Sequence, residues 1–546
     1  MKKILSLLLC AALLTGCSSN AITEVTAETH MPTEAVSVET AEFVVPTYES
    51  RFDTVTEIIL SDDGIIMDDS TKADAVFTSH DIIYYEDRDA YDSGNPYGEG
   101  TDADKHTADE AAAHTVVNIT QPGAYRITGK LSAGQIRIDL GSDAYENPDA
   151  VVELILENAE ITCTVAPAIL FLNTYECDGN WSEDSAKPDV DTTSTGANLI
   201  LEGENSVSGS YVSKIFKDKD SEKKLWKQDG AIYSYMSMNV FGPGSLDLTA
   251  ANEGMDTELH LTLNGGNIRI FSGNDGINTN EDGVSVTTIN GGNLTIFAGL
   301  GAEGDGIDSN GYLVINGGTV VSAANPVADA GLDSDLGSYI NGGTVVAFGS
   351  TMDWAESKSG QVTMNLQFAS QQAADSAIQI QSEDGTEIFT FTPVGEHIRA
   401  FSGMILSSPA LAQGETYHVY VDGVQMAYTG NDVGRRGPGG MHPGPMPEGF
   451  APENLPEGFD PAKMGNRGQR PEGDKLPPEG FEGEMPTMPS GLERPELPEG
   501  ETFPEGEPPQ GGFGSHGQHN VPSGKPSTEF YMNDMVNSFS GVIAAQ

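Results

Sequence analysis

The 546-residue sequence predicts an all-β protein: a right-handed parallel β-helix closed by a small antiparallel β cap and flanked by disordered tails. Three observations carry that expectation. Asn-Gly-Gly recurs from positions 264, 290, 316 and 341, at spacings of 26, 26 and 25 residues. The columns around that Asn stay apolar from one repeat to the next. The composition agrees, since 64 glycines and only 7% aromatic residues describe many turns and few large core side chains, which disfavours a helical bundle.

The repeat sets the architecture. Just before each Asn stand Leu263, Ile289, Ile315 and Ile340; four residues after it stand Ile268, Leu294, Val320 and Val345; six after it stand Ile270, Ile296, Ser322 and Ala347. A period near 25 is too short for a strand–helix–strand unit and too strand-like for helical repeats. It suits one coil of a parallel stack, in which equivalent residues lie about 4.8 Å apart on successive coils. The apolar columns then become interior ladders. The Asn column becomes a side-chain amide ladder at a turn where the two glycines permit unusual φ. Phe271, Phe297 and Phe348, seven residues after the Asn, are expected to stack on each other inside, with stacking on sugar rings outside as the alternative.

A second set of columns recurs once per coil: Glu253-Gly254-Met255-Asp256, Asp275-Gly276-Ile277-Asn278, Asp305-Gly306-Ile307-Asp308 and Ala330-Gly331-Leu332-Asp333. The apolar member points inward and its polar neighbours outward. Thr257, Thr279, Ser309 and Ser334 follow, then Glu258, Asn280, Asn310 and Asp335. Earlier coils are more degenerate, with Asp229-Gly230-Ala231-Ile232 at the place of the acidic turn and Phe241-Gly242-Pro243-Gly244 at that of Asn-Gly-Gly.

The flanking segments complete the organisation. Met1-Lys2-Lys3 and the apolar run Ile4–Leu14 form a short secretory signal ending in Leu14-Thr15-Gly16-Cys17, which resembles a bacterial lipobox. By that resemblance residues 1–16 are removed and Cys17 carries lipid, which anchors the protein at the extracytoplasmic face of the cell membrane. The bland alternative is an ordinary secreted protein with an incidental Cys. Residues 17–50, rich in Thr, Glu and Ser, read as a flexible tether. The β-helix spans 51–360, with insertions at 174–195 and 213–228, and alternating strands over 361–430 form the cap. Residues 434–526 hold 19 of the 30 prolines, and Pro-Glu-Gly-Phe recurs at 447–450, 456–459 and 478–481, so 431–546 reads as a disordered tail. Phe530 to Val542 could form a short amphipathic segment. Cys163 and Cys177 remain in the mature chain, as a disulfide or as two free thiols.

Charge narrows the function. There are 82 acidic and 27 basic residues, a formal charge of −55, which argues against nucleic acid as a partner. Carboxylates on adjacent coils, about 5 Å apart, repel by about 3 kcal/mol at an effective dielectric of ~20. Hard oxygen ligands at fixed spacing suit Ca²⁺. The candidate ligands are Asp256, Asp275, Asn278, Asp305, Asp308, Asp333 and Asp335; the competing explanation is ordinary turn chemistry. For catalysis the coils offer little, since between residues 228 and 357 Arg269 is the only Lys or Arg and His260 the only His. Proton abstraction by a lyase needs more basic groups than that. A surface for sugar rings needs aromatic platforms, and Tyr233, Tyr235, Tyr312, Tyr339 and Trp354 are the candidates.

A family resemblance adds to this reading. The run Asn118–Thr128, Gly129–Ile136, Val152–Ile161, the Asp229–Tyr233 turn and the repeated Gly-Asp-Gly-Ile and Asn-Gly-Gly coils are similar to the bacterial carbohydrate-binding β-helix family. Ser407–Leu411 followed by Gly414-Glu415-Thr416-Tyr417 resembles that family's C-terminal region. The resemblance covers about residues 50–430. It implies a calcium-containing, non-catalytic relative of polysaccharide lyases that binds cellulose-like or acidic, pectin-like glycans. Departures are the two insertions and Ala330, which stands where its neighbours carry acids. The expected protein is thus a monomeric, membrane-tethered polysaccharide binder using Ca²⁺. A structural or adhesive envelope lipoprotein is the alternative, and a lyase or glycosidase the third.

Overall fold

A computed structural model describes residues 48–67, 74–85, 104–179, 181–182, 185–216, 224–350, 352–392, 399–431, 433 and 525–545. The signal segment 1–16, Cys17, nearly all of the tether 17–50 and most of the tail lie outside the described residues.

The chain returns to lie parallel beside itself once per repeat, and the predicted columns are the observed register. Leu263, Ile289, Ile315 and Ile340 pair in succession. So do Ile268, Leu294, Val320 and Val345, and Met255, Ile277, Ile307 and Leu332. All twelve side chains are buried. Each coil in this region therefore gives three strands. Two belong to a 24-stranded sheet that runs on into the cap, and the third to a nine-stranded sheet facing it. Ser322 breaks the apolar column, and its hydroxyl is satisfied by donating to Gly331 O at 2.7 Å. A second polar thread lies inside, where the hydroxyls of Thr279 and Ser309 meet at 2.9 Å on adjacent coils.

The turn between the two strands of the large sheet shows why the repeat needs its glycines. Only the second Gly of each Asn-Gly-Gly is left-handed: Gly266, Gly292, Gly318 and Gly343 have φ of +94°, +87°, +83° and +82°. At Gly318 a Cβ would also lie 2.6 Å from Gly292 O of the preceding coil. The first Gly is not left-handed, which narrows the expectation of two unusual glycines to one.

Both ends of the parallel stack are closed by antiparallel strands. At the start, Gly64–Met67 folds back on Val55–Ser61, and Val76–Ser79 runs antiparallel to Thr115–Ile119. At the far end, Phe401–Ser407 lies antiparallel to the last coil strand, Thr344–Gly349, and to Thr363–Gln372. Closure of this kind covers backbone that a bare terminal coil would expose. The chain terminus changes the predicted boundary. Val536–Ala544 joins the cap beside Thr363–Gln372, and Phe530–Tyr531 pairs with Thr416–Val421. Residues 525–545 thus belong to the cap rather than to a disordered tail. The reason is apolar burial: Phe530, Met532, Phe539 and Val542 are buried, and Phe530 and Phe539 pack with Tyr428 at 5.0 and 4.8 Å.

The remaining helical structure is slight. Ala108–Ala112 is a five-residue helix held by a capping box between Thr107 and Glu110. Among the described residues no helix is long and apolar enough to cross a bilayer. The insertion at 213–228 is a hairpin of Val212–Phe216 and Lys224–Gln228. Cys163 and Cys177 are free thiols, and burial pushes the Cys163 thiol up to about 11.

Candidate functional site

Two polar surfaces follow from the register, one on each sheet. On the nine-stranded sheet Asp256, Asn278, Asp308 and Asp333 are successive partners on the outward face. Their inward neighbours anchor the strands, so side chains on neighbouring coils stand at the inter-strand spacing of about 4.8 Å.

The acids form two groups. Asp229, Glu253 and Asp256 bring a carboxylate oxygen each to within 4.8 Å of one another. Asp275, Asp308, Asp329 and Asp333 surround Asp305, whose carboxyl is pushed well above the usual range by burial and then by the charge of Asp333 and the other three. Backbone amides steady this second group: Asp305 N donates to Asp275 Oδ1 at 2.7 Å, Ala330 N to Asp305 Oδ1 at 2.6 Å, and Gly304 N to Asp329 Oδ2 at 2.9 Å. Asn278, between Asp256 and Asp308 in the register, joins the two groups. Asp335, a predicted ligand, is exposed and is not among the acids that act on Asp305.

Three carboxylates were not among the predicted ligands. Asp229 belongs to the coil where the repeat is degenerate, and Glu253 opens the first regular coil. There Gly230, not Asp229, pairs with Glu253, so Asp229 is offset by one residue. Asp329 answers the gap at Ala330, standing one residue earlier in the chain. The offset hides Asp329 from an alignment by column, whereas Asp229 and Glu253 both stand at the acidic turn of their coils.

These residues suit a hard cation. Every donor is an Asp, Glu or Asn oxygen, the set preferred by Ca²⁺. Asn278 Oδ1 is buried without a hydrogen-bond partner, on a residue that stands between Asp256 and Asp308 in the register, so this amide oxygen is a further donor for a metal.

The aromatic candidates divide. Tyr312 and Tyr339 lie on the outward face of the large sheet with ring centroids 5.9 Å apart, each partly exposed. Tyr233, Tyr235 and Trp354 are not surface platforms. Tyr233 and Tyr235 pack edge to face at 5.1 Å beneath Leu259, Val284 and Trp181, so the 174–195 insertion covers them. The Tyr233 hydroxyl donates to Glu258. Trp354 is buried in the main core with Met352. The Phe column also differs from expectation. Ile268 and Ile270 point inward, so by the alternation of a strand Phe271 faces out. Phe271 and Phe297 stack at 5.2 Å on the outer face, and Phe348 is covered by Phe391 and Phe401 of the cap.

The single Lys or Arg between residues 228 and 357 is already paired. Arg269 donates to both carboxylate oxygens of Asp247, at 2.9 and 2.8 Å, and its guanidinium lies 5.8 Å from the Phe271 ring. His260 is buried, with Nε2 3.5 Å from Asp178.

The second polar surface is a cleft of about 430 Å³ on the outward face of the large sheet. Asn198, Asn239, Thr262 and Thr288 are successive register partners along its floor. Beside them runs the amide ladder predicted from the repeat: Asn290 donates to Asn264, Asn316 to Asn290 and Asn341 to Asn316, each at 2.9 Å. The insertion contributes a wall, residues 188–193, and the segment Tyr48–Arg51 closes one end. There Ser50 Oγ and Arg51 N donate to the buried Glu153, at 2.5 and 2.8 Å.

A family model described as carbohydrate-binding domain-containing protein matches residues 113–388, just over half of the chain. Among solved structures, the chain is similar to a polysaccharide lyase-like protein from C. thermocellum, solved as a gadolinium derivative. Identity is 21%, the match covers 53% of this chain and 93% of that chain, and the TM-score is 0.32. No curated protein matches.

Proposed function

The chain belongs to the carbohydrate-binding domain-containing proteins, and from that membership we propose that it is a surface-tethered, non-catalytic polysaccharide-binding lipoprotein. Its coils form a right-handed parallel β-helix that holds Ca²⁺ and binds cellulose-like or acidic, pectin-like glycans. The observation that carries the reading is the in-register column Asp256, Asn278, Asp308 and Asp333 on an outward face. Asp308 and Asp333 are adjacent carboxylates in that column, and a cation would offset the repulsion between them.

Asp229, Glu253 and Asp256 would hold one ion, and Asp275, Asp305, Asp308, Asp329 and Asp333 another, with Asn278 between them. Bound Ca²⁺ would supply positive charge and open coordination positions for sugar oxygens. The protein's own part is to hold the oxygens at coil spacing on a rigid core. The pairing of Arg269 with Asp247 supports a non-catalytic role, because that guanidinium is already neutralised. Lipid on Cys17 would fix the binder to the membrane.

The test is retention of the calcium-loaded full chain on insoluble cellulose and on a pectate gel, with and without EDTA. Retention on either matrix is expected. Failure on both, with a folded protein, would overturn glycan binding. Cys17→Ser is expected to release the protein from the membrane fraction.

A further inference from the structure

We propose that the cleft under residues 188–193 is a second glycan site, separate from the acid ladder, that holds the end of a neutral, hydroxyl-rich chain. The proposal rests on the carbohydrate-binding reading above and adds a place and a ligand class to it.

The protein already shows what this floor binds. Thr192 Oγ1 donates to Asn239 Oδ1 at 2.8 Å and exchanges a hydrogen bond with Thr262 Oγ1 at 2.7 Å, while Asn239 Nδ2 donates to Thr192 O at 2.8 Å. A hydroxyl thus sits on the ladder at Asn239 and Thr262, held by one acceptor and one hydroxyl. One coil further along the same column stands Thr288, paired in the register with Thr262. Thr288 is only 8% exposed and lines the cleft, yet its Oγ1 has no hydrogen-bond partner. Buried polar atoms are nearly always satisfied, and leaving one unmade costs about 1–3 kcal/mol. A ligand hydroxyl one coil beyond that of Thr192 would complete the series.

Charge selects the class. The floor is Asn and Thr, neutral donors and acceptors, whereas the rim carries Glu49, Asp189 and Asp191 against Arg51 alone. A uronate would meet net repulsion, while a neutral sugar would not. Shape selects the end of a chain. The cleft is blocked where Arg51 donates to Thr193 O at 2.9 Å and Tyr48 packs on Phe241 at 4.5 Å. In the other direction the amides of Asn316 and Asn341 are exposed. The column itself continues from Thr288 to Val314 and Tyr339, with Tyr312 beside it. A bound chain would therefore run from the closed end along the coil axis, with hydroxyls on the amide ladder and sugar faces on the two tyrosines.

The experiment is calorimetric titration of the calcium-loaded full chain with β-1,4-linked hexasaccharides of glucose, xylose and mannose, beside retention on a pectate gel. Thr288→Val keeps the shape and removes the hydroxyl; Thr288→Phe fills the cleft. For the tightest of the three sugars, Thr288→Val should weaken binding about fivefold, the value of one hydrogen bond, with the melting temperature unchanged or raised. Thr288→Phe should abolish that binding and leave pectate retention intact. Wild-type affinity in Thr288→Val, or a lowered melting temperature that marks the hydroxyl as structural, overturns the proposal. So does failure of all three neutral sugars to bind wild type at millimolar concentration. If pectate is still retained in that case, the cleft alone is refuted; if no glycan is retained, the broader reading falls with it.

Discussion

The side chain of Asn316 donates to Asn290 Oδ1 at 2.9 Å, and Asn290 hands the same bond on to Asn264. Asn290 and Asn316 each give one hydrogen and receive one, so the ladder has a direction. Asn290→Asp should break it at one joint. The carboxylate still accepts from Asn316 but has no hydrogen to give Asn264 Oδ1. A loss of about 1–2 kcal/mol is expected at pH 7 by denaturant unfolding. Protonating the new carboxyl restores the donor, so the loss should shrink as pH falls towards 4. The same deficit at pH 8 and pH 4 would count against a directional ladder.

Asp305 lies buried among Asp275, Asp308, Asp329 and Asp333. Without a cation, its charge should oppose folding. Chelation with EDTA is therefore expected to lower the melting temperature, and millimolar Ca²⁺ to restore it. Asp305→Asn keeps the acceptor for Ala330 N and removes one charge. It should raise the melting temperature of the metal-free protein and reduce the gain on adding Ca²⁺. A melting temperature indifferent to chelation, with no metal found by elemental analysis, would dispose of the cation.

The cap is expected to depend on the last strand. Phe539 is buried and packs on Tyr428 and Phe530 at 4.8 and 4.9 Å. Phe539→Ala should cost about 3–5 kcal/mol, as large-to-small changes at well-packed aromatics do. Denaturant unfolding reads this directly. A change under about 0.5 kcal/mol, the range of ordinary surface substitutions, would show the strand to be peripheral.

What the sequence disclosed was what repeats. The columns at Leu263, Ile268 and Met255 could be aligned because stacked coils demand similar residues at similar positions, and the amide ladder followed from the same alignment. Contacts made by non-repeating segments left no such mark. The covering of Tyr233 and Tyr235 depends on where the 174–195 insertion folds, and the docking of 525–545 spans a long Pro-rich interval. Asp329 was missed because it lies one residue out of column, whereas Asp229 stood at the acidic turn of a degenerate coil from which no ligand was drawn. The outward face of Phe271 was legible in principle. It stands an odd number of residues from Ile268 and Ile270, so strand alternation alone sends it outward. Thr288 was beyond sequence reading, because its significance lies in a partner it lacks in the fold.

Uronate and neutral glycans should part company on chelation. A −55 chain repels a polyanion, and Arg269, the cation of the regular coils, is neutralised by Asp247. Acidic sugars on the acid ladder then need a positive charge that the regular coils do not themselves supply. A divalent ion shared between Asp308 or Asp333 and a uronate carboxylate would reverse the local field; these two residues are only partly buried, unlike Asp256 and Asp275, and so face the solvent side of the ladder. Neutral sugars on the Asn and Thr floor require no such bridge. Chelation should accordingly abolish retention on pectate while neutral binding persists in the fraction that stays folded. The double substitution Asp308→Asn with Asp333→Asn should reproduce the effect of the chelator on pectate and leave neutral binding within about twofold, since neither residue lines the cleft. Unchanged uronate affinity in a folded sample shown to be metal-free would rule out the bridge.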